Sequence, residues 1–379
     1  MPFFLIVIIS MLAGTSYYLA HRLYHGLVCF LPNLRFWMIF VVVCTITLLL
    51  VLGFGRSMLP IPVGIKQTLG VLSGYCMGFF LYLFLLTVVS DLLMLALRLM
   101  NLSISKHPLS QGIATVVVLF LTCTISVCGF IHATQLHHVS YEIRLQDKKD
   151  ISDMNVVLIS DLHLGALGSE KQLKKIVDEI NSLEPDIICI AGDFFDTDFT
   201  AIQNPAAAKE TLKKLRSTYG IYTCLGNHDG GATHSQMVDF LEDVNITLLQ
   251  DSYSVIDDRL ILVGRLDSSP IGGFGEKKRQ ALASFFTRED ASLPVIVLDH
   301  NPSNIEEYGT EADLILCGHT HRGQVFPGSL MTDLLYTVDY GHYQKDTHSP
   351  QVIVTSGVGI WGMPMRVGTD CEIVTIHIK

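Results

Sequence analysis

The chain has 379 residues, so it has room for more than one domain, and its formal net charge of −10 is unevenly distributed. Residues 1–133 contain one acidic and six basic residues, whereas residues 134–379 contain 35 acidic and 20 basic residues. A net charge of −15 makes the second part poorly suited to binding long nucleic acids, because such binding needs a basic surface, so no nucleic-acid partner is expected.

The first part of the chain contains four long apolar runs that predict transmembrane α-helices. Each run approaches or exceeds the length of about 18–20 residues that a helix needs to cross the hydrocarbon core of a bilayer. The predicted spans are residues 3–20, 36–54, 70–97 and 113–131. We therefore expect a multi-pass protein of the cell membrane that contacts membrane lipids through four spans.

Basic residues in the loops indicate how the spans are oriented. The first and third loops between the predicted spans contain four Lys or Arg residues, and the second contains two. The positive-inside rule then favours an extracytoplasmic location for the second part of the chain, although basic residues at 144–149 partly oppose this bias. Asp91 lies in the third run, and we interpret it as part of an interfacial helix beyond a span that ends near Ser90. The alternative is a functional carboxylate inside the membrane.

After a polar connector at residues 134–153, the sequence predicts an α/β domain over residues 154–379. Short apolar runs alternate with amphipathic helices, which is typical of βαβ units whose strands are buried on both faces. Three short strands at residues 247–249, 253–256 and 260–263 predict an antiparallel meander. This order of elements predicts two sheets with helices on the outside.

Five predicted strands end in residue types that bind metal ions. The segments are D-x-H at residues 161–163, G-D-x-x-D at 192–196, G-N-H-D at 226–229, a single His at 300 and G-H-x-H at 318–321. Open α/β sheets place their ligands at the carboxyl ends of the strands, and oxygen and imidazole ligands suit a first-row divalent metal ion. The absence of cysteine from these segments argues against a closed structural zinc site.

These five segments, in this order, resemble the calcineurin-like metallophosphoesterase family over residues 154–379. Residues 318–324 and 356–368 resemble its YkuE-like branch, which is often attached to membrane segments. The resemblance implies a double β-sheet sandwich flanked by helices. It also implies a dinuclear metal centre that hydrolyses phosphoester bonds by activating a water between the two ions.

The resemblance also implies a role for each motif residue. One ion would be held by Asp161, His163 and His321, the other by Asn227, His300 and His319, with Asp193 bridging the two. His228 would protonate the leaving oxygen, and Asp229 would orient its imidazole. Asp196 would support the loop from outside the ligand set. The expected cofactors are two divalent ions, Mn²⁺ first, with iron or Zn²⁺ as alternatives.

Further residues are interpreted individually. Arg366 and His342 are candidate substrate-binding residues, because arginine matches the geometry of phosphate and His342 lies in a polar loop. The alternatives are an ion pair with a surface acid for Arg366 and an ordinary polar loop for His342. We interpret Trp361 as a core residue. The histidines at positions 132, 137 and 138 are interpreted as interfacial or solvated rather than metal-binding.

The sequence thus predicts a membrane-anchored phosphoesterase acting on a phosphomonoester, a phosphodiester or a pyrophosphate. Because the spans hold the site near lipid headgroups, a lipid-linked or cell-envelope substrate is a reasonable class, by analogy only. The alternative is a non-catalytic scaffold or sensor at the membrane that keeps the fold. The oligomeric state is left open.

Overall fold

A computed structural model describes residues 2–102, 107–145, 154–167, 170–287 and 292–379. The chain forms two compact units: Met1–Ile131 with Gly362–Pro364, and His132–Trp361 with Met365–Lys379. Residues 146–153 of the predicted connector and Lys106 of the third predicted loop lie outside the described residues.

In the part of the first unit that the structure describes, there are four α-helices. They are α1 (Pro2–Leu27), α2 (Phe36–Phe54), α3 (Val63–Leu99) and α4 (Pro108–His132). Judged over the described residues, α2, α3 and α4 are long and apolar enough to cross a membrane, with mean hydropathies of 2.7, 2.3 and 2.4. By length and hydropathy, the structure thus supports three of the four predicted spans. The first predicted span lies within α1 and stays a prediction.

The helix α3 continues without interruption from Val63 to Leu99, so no separate helix begins after Ser90. The interfacial position of Asp91 stays a prediction. Within this helical unit Asp91 forms an ion pair with Arg22 and accepts a hydrogen bond of 2.8 Å from the hydroxyl of Tyr18. An ionised side chain in an apolar helix is costly unless it is paired. The pair with Arg22 explains how the carboxylate is tolerated.

Over its described residues, the second unit contains two sheets of six strands each and four α-helices. In chain order the strands are β1 (Leu136–Ile143), β2 (Met154–Ile159), β3 (Ile187–Ala191), β4 (Ile221–Cys224), β5 (Thr247–Leu248), β6 (Ser252–Ile256), β7 (Leu260–Gly264), β8 (Val295–Leu298), β9 (Leu314–Cys317), β10 (Gly341–Tyr343), β11 (Gln351–Val354) and β12 (Cys371–Ile378). The helices are α5 (Glu170–Ser182), α6 (Pro205–Leu212), α7 (His234–Asp243) and α8 (Gly328–Leu335).

The strand order is β1-β12-β2-β3-β4-β5 in the first sheet and β10-β11-β9-β8-β7-β6 in the second. Alternate side chains of a strand point to opposite faces. Leu158 of β2 accordingly lies in the apolar core shared with Leu298 of the second sheet, while Val157 packs in a separate core with Ile180 of α5. Burial on both faces explains why these strands are continuous apolar runs. The architecture is the double sheet flanked by helices that the sequence predicts.

Two elements differ from the sequence prediction. Residues 136–143, inside the predicted connector, form the edge strand β1, which pairs in parallel with β12. The predicted meander is wrong, because β5 pairs with β4 in the first sheet while β6 and β7 form an antiparallel pair in the second. The short strands have similar compositions, so their sequences do not reveal which sheet each one joins.

A buried ion-pair network supports the end of β8. Asp299 follows β8 and accepts hydrogen bonds from Arg279 at 2.6 and 3.2 Å and from the hydroxyl of Tyr308 at 2.6 Å. The side chains of Asp299 and Arg279 are 1 % and 11 % exposed. The network fixes the backbone immediately before His300.

We predict that Arg279→Leu lowers the free energy of unfolding by about 3–5 kcal/mol, because it leaves the buried carboxylate of Asp299 without its cationic partner. The measurement is the apparent melting temperature of the full-length protein in detergent, followed by circular dichroism. Lys174→Leu is the control, because the Lys174–Asp178 pair of α5 is 69 % and 62 % exposed and exposed pairs contribute little. Equal melting temperatures for the two variants would contradict the prediction.

Candidate metal centre

The five predicted segments meet at the carboxyl ends of five strands. Asp161 and His163 follow β2, Asp193 follows β3 and Asn227 follows β4 in the first sheet, and the remaining three ligand candidates follow β8 and β9 in the second sheet. The parallel pairings β2–β3, β3–β4 and β8–β9 align these ends within each sheet. The structure therefore brings together all seven side chains for which the sequence suggests a metal-binding role.

Three of these side chains form the first group. The Nε2 atoms of His163 and His321 are 3.1 Å apart, and Oδ1 of Asp161 lies 3.8 Å from the former and 3.4 Å from the latter. All three residues are buried. Burial lowers the pKa of His163 to about 3, and it also lowers that of His321, where the charge of Arg366 adds to the effect. Both imidazoles are therefore neutral, the form that binds a metal ion.

Three further side chains form the second group. Oδ1 of Asn227 lies 2.9 Å from Nδ1 of His319 and 3.2 Å from Nε2 of His300, and these two ring nitrogens are 3.2 Å apart. Burial lowers the pKa of His319 to about 4. This group offers two nitrogen ligands and one neutral oxygen ligand. The negative charge that would balance a bound cation must therefore come from a neighbouring residue.

Asp193 lies between the two groups. Its Oδ2 atom is 3.2 Å from Nε2 of His300 and 3.7 Å from Nε2 of His163, so one oxygen faces both sets. Its other oxygen accepts a hydrogen bond of 2.8 Å from the backbone N–H of His228. Burial alone would raise the pKa of Asp193, but the charge and hydrogen bond of His300 lower it below the usual range. Asp193 is thus an ionised, buried carboxylate that faces both groups.

The hydrogen-bond partners of the His300 ring show whether the atoms around it suit a bound cation. Its Nδ1 lies 2.7 Å from the carbonyl oxygen of Ala191, which can only accept, so Nδ1 carries a hydrogen. In the neutral ring, Nε2 then directs a lone pair at Oδ2 of Asp193 and Oδ1 of Asn227. Burial lowers the pKa of His300, but the charge of Asp193 raises it well above its ordinary value, since converging electron pairs attract a proton. A divalent cation would satisfy the same atoms, so the donors fit a metal centre.

The backbone at the site is held in an uncommon conformation. Five of the ligand candidates adopt positive φ although none is glycine, namely Asp161 (56°), His163 (46°), Asp193 (49°), His319 (72°) and His321 (49°). Such φ values are uncommon for residues other than glycine and cluster at functional sites. Gly226 permits the close approach, because a Cβ atom there would lie 2.2 Å from Oδ1 of Asp193.

The predicted role of Asp229 is wrong. Its two carboxylate oxygens accept hydrogen bonds of 2.8 Å from the backbone N–H groups of Phe195 and Gly226. The partner of Nδ1 of His228 is the hydroxyl of Thr197, at 2.6 Å. Burial raises the pKa of Asp229 to about 7. Asp229 therefore joins two loops of the site, and Thr197, which the sequence analysis did not identify, orients His228.

Arg366 is not open to a substrate, which corrects the predicted role. Its side chain is buried and donates hydrogen bonds to the carbonyl oxygens of His321 at 3.0 Å, Ser356 at 2.8 Å and Gly359 at 2.7 Å. A guanidinium that binds three carbonyls holds backbone segments together. Arg366 thus fixes the loop that carries His321.

The other predicted residues take different places. His342 lies on β10 at the edge of the second sheet, where it pairs with Gln351 at 3.0 Å, so it is outside the two groups. One carboxylate oxygen of Asp196 lies within 4.8 Å of ring nitrogens of His163 and His228, which is next to the first group. Trp361 is not a core residue, since it is 41 % exposed and its ring centroid lies 5.6 Å from that of His228.

Comparison with known proteins gives a consistent result. Residues 154–323 match the family model of calcineurin-like phosphoesterases. The chain is 31 % identical over 240 residues to an uncharacterized metallophosphoesterase of Helicobacter pylori, and the aligned residues make up 61 % of this chain and 61 % of that relative. It is 29 % identical over 330 residues to a transmembrane protein with metallophosphoesterase domain of Danio rerio, covering 82 % of this chain and 74 % of the relative. The uncharacterized metallophosphoesterase YkuE of Bacillus subtilis is 29 % identical over 232 residues, covering 59 % of this chain and 78 % of the relative.

We predict that Asp193→Ala removes the ions held by both groups, because it deletes the only carboxylate that faces both of them among the described residues. Full-length protein in detergent would be stripped of metal, reloaded with Mn²⁺ and analysed for bound metal by mass spectrometry. The variant should hold two fewer ions per chain than the wild type, in accordance with a two-metal site. His342→Ala is the control and should hold as many as the wild type. Unchanged metal content in Asp193→Ala would contradict the assignment.

Proposed function

Because residues 154–323 form a calcineurin-like metallophosphoesterase domain, we propose that the chain is a membrane-anchored phosphoesterase that depends on two divalent cations. It hydrolyses a phosphomonoester, a phosphodiester or a pyrophosphate. The observation that carries this proposal is the convergence of six ligand-type side chains, from the ends of four strands, around the carboxylate of Asp193 at the end of a fifth strand. A packing role alone does not account for so many buried polar groups at one edge.

The residues of the two groups would each hold one cation, with Asp193 shared. When bound, a pair of divalent cations supplies positive charge for the phosphoryl oxygens and lowers the pKa of a water. We propose that both ions are Mn²⁺, with iron or Zn²⁺ as alternatives, since all three metals accept mixed imidazole and oxygen ligands. The neutral amide of Asn227 fits this role, because another carboxylate would repel a phosphate.

His228 is proposed as the group that protonates the leaving oxygen. The Thr197 hydroxyl holds Nδ1 at 2.6 Å, which leaves Nε2 as the end of the ring that can face a substrate. When Nδ1–H donates to the Thr197 hydroxyl, the protonated ring carries its second hydrogen on Nε2. That proton then passes from Nε2 to the leaving oxygen as the phosphorus–oxygen bond breaks, and the ring is left neutral. The ring of His228 lies 5.1 Å from that of His163, beside the first group.

An amphiphilic, lipid-linked substrate is the proposed substrate class. Tyr336 lies against the ring of His319, with centroids 6.1 Å apart, and directly follows α8. That helix exposes Leu330, Met331, Leu334 and Leu335, at 55 %, 58 %, 80 % and 73 % of their surfaces. Exposed apolar patches mark binding surfaces more often than chance. The patch on α8 would receive the acyl part of a lipid while its phosphate enters the metal centre.

We also place the catalytic domain on the extracytoplasmic side of the membrane. The support is the larger number of basic residues in the first and third loops between the predicted spans. Membrane anchoring itself is supported by the three apolar helices and by the similarity to the transmembrane relative of Danio rerio.

The proposal is tested by assaying metal-stripped full-length protein in detergent after addition of Mn²⁺, Fe²⁺ or Zn²⁺. We expect metal-dependent hydrolysis of p-nitrophenyl phosphate or bis-p-nitrophenyl phosphate, and the preferred compound distinguishes monoester from diester cleavage. His228→Ala should lower kcat by roughly 10²–10⁴-fold, the usual contribution of a general acid. Full metal loading without turnover of either compound or of lipid phosphates would instead favour a non-catalytic scaffold.

The role of Thr197 leads to a separate prediction in the same assay. Thr197→Val should lower kcat roughly tenfold with unchanged metal content, because one hydrogen bond that orients His228 is lost, at about 1 kcal/mol or slightly more. Thr200→Val is the matched control, since Thr200 is exposed and its hydroxyl donates to Asp198 instead. Equal rates for the two variants would show that Thr197 does not position His228.

The lipid proposal predicts a selective defect. Leu334→Glu should lower kcat/KM on a lipid phosphate in mixed micelles roughly tenfold or more, since burial of a leucine is worth about 1.5–3 kcal/mol. Hydrolysis of the nitrophenyl compounds should be unchanged. Val255→Glu is the control, because Val255 is 47 % exposed on β6 and does not lie on α8. Parallel losses on lipid and nitrophenyl substrates, or none at all, would refute the role of α8.

A further inference from the structure

A second cluster of metal-ligating side chains lies in the catalytic unit and shares no residue with the two groups described above. His132 is the last residue of α4, His137 lies on β1, and Asp370 immediately precedes β12. Oδ1 of Asp370 lies 2.7 Å from Nε2 of His132 and 3.5 Å from Nε2 of His137. One ligand atom from each residue therefore lies within 4.8 Å of the others.

The backbone around this cluster is held in place by independent contacts. The parallel pairing of β1 with β12 sets Leu136 opposite Cys371, which brings His137 and Asp370 to the same end of the two strands. The Ser356 hydroxyl donates to the carbonyl oxygen of Asp370 at 2.9 Å. The carbonyl oxygen of His132 accepts a hydrogen bond of 2.9 Å from the N–H of Gln135. The three side chains thus project from a fixed frame.

One of the three ligand atoms is not satisfied by the other two. Nε2 of His137 is buried although the side chain as a whole is 43 % exposed, and it has no hydrogen-bond partner among the described residues. The nearest acidic atom is Oδ1 of Asp370, at 3.5 Å, and that oxygen already lies 2.7 Å from the ring of His132. A buried ring nitrogen directed at a shared carboxylate oxygen is the arrangement that a cation would complete.

The spacing matches a transition-metal ion. With Zn–N and Zn–O bonds of about 2.0–2.1 Å in a tetrahedron, neighbouring ligand atoms are about 3.3 Å apart. The measured separations of 2.7 and 3.5 Å lie on either side of that value. Two imidazoles and one carboxylate leave at least one coordination position open, as in sites that exchange their ion or a water.

We propose that His132, His137 and Asp370 bind a third divalent cation of the zinc class, separate from the proposed dinuclear centre. The side chains are 33 %, 43 % and 37 % exposed, so the ion exchanges with solution rather than being enclosed. It links the last residue of α4 to the edge strand β1 and to the residue that precedes β12, the neighbouring strand of the sheet. This proposal differs from the sequence-based interpretation of His132 and His137 as interfacial or solvated residues. The sequence did not associate Asp370 with them.

The site is tested by counting Zn²⁺ ions in full-length protein that also carries Asp193→Ala, so that the ions of the proposed dinuclear centre do not contribute. Metal-stripped protein in detergent would be titrated with Zn²⁺ by calorimetry, and bound metal would be measured by mass spectrometry. We expect one Zn²⁺ per chain in this background and none after His137→Ala or Asp370→Asn. The same difference of one ion is expected in the otherwise wild-type chain.

His138→Ala is the matched control. His138 is the next residue of β1, it is 39 % exposed, and it pairs with Glu179 at 3.2 Å instead of Asp370. This variant should retain the Zn²⁺ ion. Equal Zn²⁺ binding by the His137 and His138 variants would overturn the proposal, as would the absence of Zn²⁺ binding in the parent. Because metal content is read without activity, this result is independent of whether the chain hydrolyses phosphoesters.

Discussion

The carboxylate of Asp193 is the group on which the rest of the site depends. It is 2 % exposed, and one of its oxygens faces His163 on one side and His300 on the other. A buried charge of this kind is costly unless positive charge surrounds it. The fold meets this requirement by directing strand ends of two separate sheets, β3 in the first and β8 in the second, at the same point. The positive φ values of five ligand candidates reflect the same constraint, since each loop must turn sharply after its strand.

Much of this arrangement could be predicted from the sequence, for a physical reason. Strands buried on both faces are continuous apolar runs, so their ends are visible, and polar residues directly after them must lie at the sheet edge. The ligand segments at residues 161–163, 226–229 and 318–321 follow such runs. The sequence could therefore predict that the seven ligand-type residues lie at the same edge of the fold, where the structure brings them together, and it could predict the double sheet from the order of the strands. Their role as metal ligands stays a prediction.

What the sequence could not predict depends on the direction of individual side chains. Asp229 directly follows His228, yet its oxygens accept backbone N–H groups, and Thr197, 31 positions earlier, holds the imidazole. Arg366 has the chemistry of a phosphate ligand but binds three carbonyls inside the fold. The edge strand β1 was missed because its polar, alternating residues resemble a connector, and its pairing with β12 is long-range. Adjacency in sequence reports neither burial nor hydrogen-bond partners.

The central claim is that one carboxylate is shared by two cations, and electron paramagnetic resonance of the Mn²⁺-loaded full-length protein tests it most directly. Two Mn²⁺ ions about 3.5–4 Å apart and bridged by Asp193 should give the spectrum of an exchange-coupled pair. His137→Ala would be used as the parent, so that an ion at the third site does not add its own signal. The account predicts a coupled spectrum that disappears in Asp193→Ala. A fully loaded protein that shows only the spectrum of isolated Mn²⁺ ions would contradict it.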